Sequence, residues 1–341
     1  MTITREQTAF IKGMAILMML FHHLFAFPNR IDPSIVIIPL SQQINFELNI
    51  AQYCKICVPI FLFLSGYGFA FSKRKGPKDL SKKAVSIYSQ AWLVALLFVP
   101  IGMLFFNGDG RYTLSLQSLL LNLSGLDTSW NLEWWFLFLY VAYLFSYPLL
   151  LKIPPLPLLA MSLVASVVGT RLYWHNFQAW YLKDIIAYLI WILPLTSGLM
   201  LGRHGTQINA WLERHGISNR LLTPLCIAAI VVIGYGLTKY FFVSLCLIVP
   251  LLAFCLIQLH NVLPQAPRRI FYSLGNRSGF MWLTHSFYCY YFIQPIVYSP
   301  HYTLAIYALL IALSWITSVV LGGIFDGIKR FVSPASRPEA A

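Results

Sequence analysis

Charge is scarce in this chain. Only 10% of its 341 residues are charged and just 11 are acidic, against about 25% charged in soluble domains, which excludes an ordinary soluble enzyme. A second cysteine pair is also missing. Cys54-x-x-Cys57 stands alone, and the six cysteines lie in apolar segments, where a thiol behaves as a small hydrophobe, so no metal is expected. No small-residue cleavage site follows the apolar run from Gly13 to Phe27; Phe27-Pro28-Asn29-Arg30 comes next, so that run reads as a retained span rather than a signal peptide. No internal repeat is visible, which weighs against transporters built from duplicated halves.

What is present is apolar: 58% of the residues are hydrophobic. A span needs about 20 of them in sequence, and the runs predict an all-α membrane helix bundle of ten spans, at 8–27, 46–72, 84–106, 132–151, 156–174, 185–202, 222–238, 240–259, 278–298 and 303–325. Residues 113–123 are too short to cross and read as interfacial or re-entrant. The net charge of +13 does not point to nucleic acid, because the basic residues sit in breaks between apolar runs rather than on one soluble face. An N-terminus inside leaves Arg30, Arg111, Arg171, Lys183 and Lys239 outside, Lys55 within the second span, and the other 18 of 24 Lys and Arg inside. That asymmetry predicts an N-in, C-in topology. The membrane domain is expected over 1–328, followed by a cytoplasmic tail at 329–341, disordered from Ser333 onward.

Ionisable groups within the bilayer are costly, so each is a candidate for function. Lys12 and His23 stand eleven residues apart in the first span, about three helical turns, or roughly 16 Å of rise and about 20° of rotation. They share a face; His22 points about 80° away. A cation at the cytoplasmic mouth and a base deep inside suit a site that admits an anionic donor. The simpler account makes Lys12 a snorkelling residue and His23 a helix–helix hydrogen-bonding one. Ser65 and Gly66 permit close helix approach in the second span, beside Tyr67. Ser278, Trp282 and His285 form one stripe in the ninth span; an outward helix from Arg277 carries His285 about 12 Å into the membrane.

With those residues in hand, the sequence resembles the acyltransferase 3 family of integral membrane acyltransferases. Lys12 through His23 matches its first-span pattern of a basic residue, ten residues and a histidine, with lysine where the family usually has arginine. Phe61-Leu62-Phe63-Leu64-Ser65-Gly66-Tyr67 matches the second-span motif. Trp135-Phe136-Leu137 with Tyr143 and Pro148, and Leu274-Gly275, Ser278 and Leu283-Thr284-His285, are similar to the central and late elements. Pro59 stands where a branch with long extensions carries an aspartate, so no catalytic aspartate is carried over.

The resemblance implies transfer of an acyl group, usually acetyl, from acyl-CoA to a hydroxyl of a surface polysaccharide, glycolipid or lipid-linked sugar, in a bacterial-type inner membrane. His23, Lys12 and His285 are the catalytic candidates. Lys73, Arg74, Lys75, Lys82, Lys83, Arg268, Arg269 and Arg277 are candidates for the coenzyme A phosphates, although positive-inside topology explains such a cluster by itself. Ser65, Tyr67, Glu133, Trp135, Ser278 and Trp282 are the acceptor-side candidates; for Glu133 interface anchoring is the simpler account, and for Lys55 a reach to the outer headgroups. A transporter or flippase of a polar lipid-linked substrate is the alternative, with the same intramembrane groups lining its path.

Overall fold

Thr4 opens the first helix. Its hydroxyl accepts from the Gln7 N–H, and the Gln7 side chain accepts from the Thr4 N–H in return. This reciprocal capping box satisfies two N–H groups that a helix start would otherwise leave unpaired, and α1 runs from there over Arg5–Phe25. The structure is a computed structural model and describes residues 2–73, 76–175 and 180–332. Arg74, Lys75 and the tail from 333 lie outside the described residues.

The helices that follow are α2 (Phe46–Tyr53), α3 (Cys57–Ala70), α4 (Pro77–Phe105), α5 (Leu116–Ser124), α6 (Trp135–Leu150), α7 (Pro155–Trp174), α8 (Trp180–Arg214), α9 (Asn219–Gly236), α10 (Phe241–Val262), α11 (Gln265–Ser286), α12 (Gln294–Tyr298) and α13 (Thr303–Val332). Among the described residues nine helical segments are long and apolar enough to cross a membrane, with α2 and α3 forming one of them through a 3-10 turn at Cys54–Ile56. The fold is an all-α polytopic membrane bundle.

The expected ninth span is where structure and sequence differ most. In place of a helix over 278–298, α11 begins at Gln265, ends at Ser286, passes into a π-helical segment at Phe287–Tyr291, and breaks before α12. Pro295 has no N–H to continue the ladder. Helix α11 falls short of a span's apolarity because Arg268, Arg269, Asn276 and Arg277 lie along it. It is accommodated because it packs inside the bundle rather than against lipid, burying Leu274, Ser278, Met281 and His285. Helices α8 and α13 also overrun their expected ends, to Arg214 and Val332, so Lys329–Val332, expected to open the tail, belong to the last helix. Residues 113–123 become the short α5, capped by the Ser115 hydroxyl and ended at Gly125 with φ of 77°.

Glycine sets the two closest helix crossings. A Cβ at Gly275 of α11 would strike the Ala9 carbonyl of α1, and one at Gly13 would strike the Phe271 carbonyl. On the other side, Gly66 of α3 meets the Leu195 carbonyl of α8, and Gly198 meets that of Phe63. Without a hydrophobic driving force between helices in lipid, such backbone-to-backbone approach supplies the packing. Helix α1 is thereby drawn into the centre, in contact with α3, α10, α11 and α13.

Candidate active site

Tyrosines hold the end of α1. The last carbonyls of a helix have no partner within it; here the Tyr290 hydroxyl donates to the His23 carbonyl, and the Tyr298 hydroxyl donates to that of Leu24 at 2.8 Å. About two turns earlier the Tyr307 hydroxyl donates to the Leu17 carbonyl at 2.9 Å. The backbone carrying His23 is thus fixed from three directions.

A cavity of about 500 Å³ runs along this face of α1, within the size range of small-molecule sites. Lys12, His22 and His23 of α1, Ser65 of α3, Glu133 and Trp135 at the start of α6, and Ser278 and Trp282 of α11 are all on its wall. It is open beside Asn276 and Gly279, which are exposed. The eleven-residue spacing therefore does bring Lys12 and His23 to one space. His22 reaches it too, although the expected rotation pointed it elsewhere; its Nδ1 donates to the Ala51 carbonyl at 2.7 Å, which fixes that ring.

Around His23 the groups converge from distant parts of the chain. Its Nε2 lies 3.4 Å from Glu133 Oε2, longer than a good hydrogen bond, while Arg30 donates to Glu133 Oε1 at 2.8 Å. The Arg30 guanidinium lies 3.5 Å from the centre of the Tyr290 ring. Burial works against the Arg30 charge, but Tyr290 and Glu133 outweigh it and hold its pKa above the ordinary value. Glu133 is set in place by its backbone: its N–H donates to the Asn131 side chain at 3.0 Å, its carbonyl accepts from the Trp282 indole at 3.1 Å, and the Asn131 amide donates to Ser286 at 2.8 Å. The start of α6 is thus bound to the end of α11.

His285 stands with its ring centre 4.8 Å from that of His23. Its Nδ1 donates to the Trp282 carbonyl at 2.7 Å, which leaves Nε2 as the acceptor in the neutral ring. That atom is buried and has no partner among the described residues.

The other sequence-derived candidates divide. The Ser65 hydroxyl donates to the Phe61 carbonyl at 2.8 Å and approaches the Tyr140 hydroxyl at 3.4 Å. Tyr67 does not reach the cavity: its hydroxyl accepts from the Ile3 N–H at 2.7 Å and fastens the N-terminal segment. Lys73, Lys82, Arg268, Arg269 and Arg277 are not on the cavity wall either. Lys83 stands close enough to Lys12 to feel its charge and lies 4.6 Å over the Phe69 ring. Arg277 sits against Gly322 of α13, and Arg268 has a buried Nε without a partner among the described residues. Arg74 and Lys75 lie outside the described residues.

Two simple accounts made from the sequence fail. Glu133 is buried and ion-paired rather than anchored at an interface. Lys55 lines the cavity near Glu133 and lies 5.2 Å over the Phe242 ring, instead of reaching headgroups. Neither Arg30 nor Tyr290 stands out in the sequence as a partner of His23. The available signal was Glu133 itself, one of few acids in the chain and placed within an apolar segment, where a charge requires a partner.

Known proteins bear on this arrangement in one way. The family model described as an acyltransferase domain, of the acyltransferase 3 type, matches residues 9–321. No curated protein and no solved structure matches the chain. The matched region covers nearly the whole chain and takes in every residue on the cavity wall, from Lys12 to Leu283: the bundle is that of a membrane acyltransferase, and the chain belongs to the acyltransferase 3 family.

Proposed function

We propose that the protein transfers an acyl group, acetyl in the simplest case, from acyl-CoA to a hydroxyl of a cell-surface polysaccharide, glycolipid or lipid-linked sugar at a bacterial-type inner membrane. One observation carries the reading: Lys12 and His23 share a single cavity, separated by the length of three helical turns. A cation at one end and an imidazole at the other suit a donor whose phosphates lie far from its reactive carbon.

Acyl-CoA supplies the acyl group as a thioester: the acceptor oxygen bonds to the acyl carbon, the carbon–sulfur bond breaks, and the hydroxyl proton ends on the sulfur. His23 takes that proton as the oxygen attacks and returns it to the departing sulfur. Glu133, beside Nε2, favours the transient imidazolium when ionised, and the Arg30 guanidinium at 2.8 Å favours that ionised form. Lys12 holds a donor phosphate. His285 is not on the cavity wall; its ring stands against that of His23 and positions it. Outside the cavity, Lys73, Lys83 and Arg269 attract the polyanionic donor toward its mouth, with less demand on their individual positions.

Release of free coenzyme A thiol, followed with a chromogenic thiol reagent on protein in nanodiscs supplied with acetyl-CoA and glycan, tests the reading. Lys12→Gln is expected to raise KM for acetyl-CoA by about 10–100-fold, the loss of one charge-assisted hydrogen bond, with kcat changed far less; Lys12→Arg retains the charge and most of the affinity. An unaltered KM in Lys12→Gln removes Lys12 from donor binding. Glu133→Gln keeps the shape and removes the charge, and kcat is expected to fall by about 10–100-fold at unchanged donor KM. A variant that melts earlier yet turns over normally would make Glu133 structural only.

A further inference from the structure

Beyond the Arg30–Glu133 pair lies a second, smaller cavity of about 290 Å³. Its wall includes Arg30, Asp109, Arg111, Tyr112, Tyr290 and Tyr291. Two of these also belong to the His23 surroundings: Arg30 donates to Glu133 at 2.8 Å, and the Tyr290 hydroxyl donates to the His23 carbonyl. A single layer of side chains therefore separates the two spaces.

The chemistry of the wall is specific. Both cations are balanced: Arg30 by Glu133, and Arg111 by Asp109, whose carboxylate accepts from Arg111 Nε at 3.2 Å. Both also lie over tyrosine faces, Arg30 at 3.5 Å from the centre of the Tyr290 ring and Arg111 at 4.5 Å from that of Tyr291. Each guanidinium takes up one of those faces, and Phe106 and Leu132 add apolar surface to the wall. With no surplus positive charge, an anion has little to favour it. The polar part of the wall offers both donors and acceptors: guanidinium N–H groups, phenol hydroxyls that do both, and the half-exposed Asp109 carboxylate. Arg111 commits Nε to Asp109 and Nη1 to the Ser129 carbonyl at 3.1 Å, which leaves Nη2 without a partner among the described residues. The Tyr112 hydroxyl is buried and has none either. Such a wall complements vicinal hydroxyls, each of which donates and accepts, and the volume, at the low end for ligand sites, suits one ring.

We propose that this cavity binds an uncharged pyranose ring of the acceptor, held by Arg111 and Asp109 on the far side of the Arg30–Tyr290 layer from His23. The proposal rests on the acyltransferase reading for its purpose, but sugar binding is measured without any donor. The experiment is saturation-transfer NMR on the full chain in lipid nanodiscs free of glycoside detergent. The probes are methyl glucoside, methyl galactoside and methyl mannoside, with glucose 6-phosphate as the anionic comparison.

At least one neutral glycoside is expected to receive saturation from the wild-type protein and to bind about tenfold or more weakly to Arg111→Ala and Asp109→Asn, each having lost hydrogen bonds to a charged group. Melting curves of both variants report whether they fold. Should Arg111→Ala fail to fold, Asp109→Asn decides, since it preserves shape in an exposed turn. Absence of transfer to every neutral glycoside, equal transfer in wild type and folded variants, or preference for the phosphate overturns the proposal. A coenzyme A-dependent rise in melting temperature, measured in parallel, reports separately on the donor reading, so failure of one is distinguishable from failure of the other.

Discussion

His23→Ala is expected to lower kcat for acyl transfer by about 10²–10⁴-fold, the usual contribution of a positioned general base, while the protein stays folded. The reasons are structural. The groups that fix this part of α1 act on its backbone: the Tyr290 hydroxyl bonds the His23 carbonyl, Tyr298 the Leu24 carbonyl and Tyr307 that of Leu17. Truncating the imidazole leaves all three in place. Glu133 loses a neighbour at 3.4 Å but keeps Arg30 at 2.8 Å, so no buried carboxylate is left without a counter-charge. Turnover with acetyl-CoA and glycan, measured beside a melting curve, checks this. Wild-type kcat in a folded His23→Ala variant would remove His23 from the chemistry and turn attention to His285, whose Nε2 is bare and whose ring centre lies 4.8 Å away.

The largest effect on the fold itself is expected at Gly275. Any side chain there meets the backbone of Ala9 and Gly13 rather than a mobile side chain, so α1 and α11 would have to separate. Overpacking a tight core costs about 1–3 kcal/mol and occasionally more; a clash with backbone belongs at or above the upper end. Gly275→Leu is expected to reduce the yield of monodisperse protein severely and to abolish activity, because the same two helices carry His23 and His285. Gly279→Ala is the internal control: one turn further along α11, its Cβ would meet only the end of Gln90 at 3.3 Å, which can move. Size-exclusion profiles of the two variants decide the matter. A Gly275→Leu protein as abundant and as stable as wild type would show that the crossing does not depend on backbone contact.

Legibility in the sequence follows the range of the interactions. Helix positions came close to expectation wherever an apolar run ended at a local signal. Thr4 with Gln7, and Ser115 with Gly125, act within a few residues. The ends of α8 and α13 were missed because polar residues such as Arg203 and Lys329 stop a hydropathy pattern without stopping a helix. Helix α11 was misplaced for the converse reason. Its arginines and Asn276 disqualify it as a span by composition, and only burial within the bundle accommodates them.

The Lys12–His23 relation was readable because both lie on one helix, where a spacing of eleven residues fixes both rise and rotation. The junction of Glu133, Arg30 and Tyr290 with His23 was not: its members come from separate segments, with Arg30 and Glu133 103 residues apart and Tyr290 267 residues from His23. By itself the sequence determined an all-helical membrane chain and one polar stripe along its first helix, since helical periodicity is a property of neighbours. Which groups face that stripe was decided only in the tertiary structure, by glycine crossings that set how deeply α1 sinks and by tyrosine hydroxyls that hold it against the π-helical segment, α12 and α13.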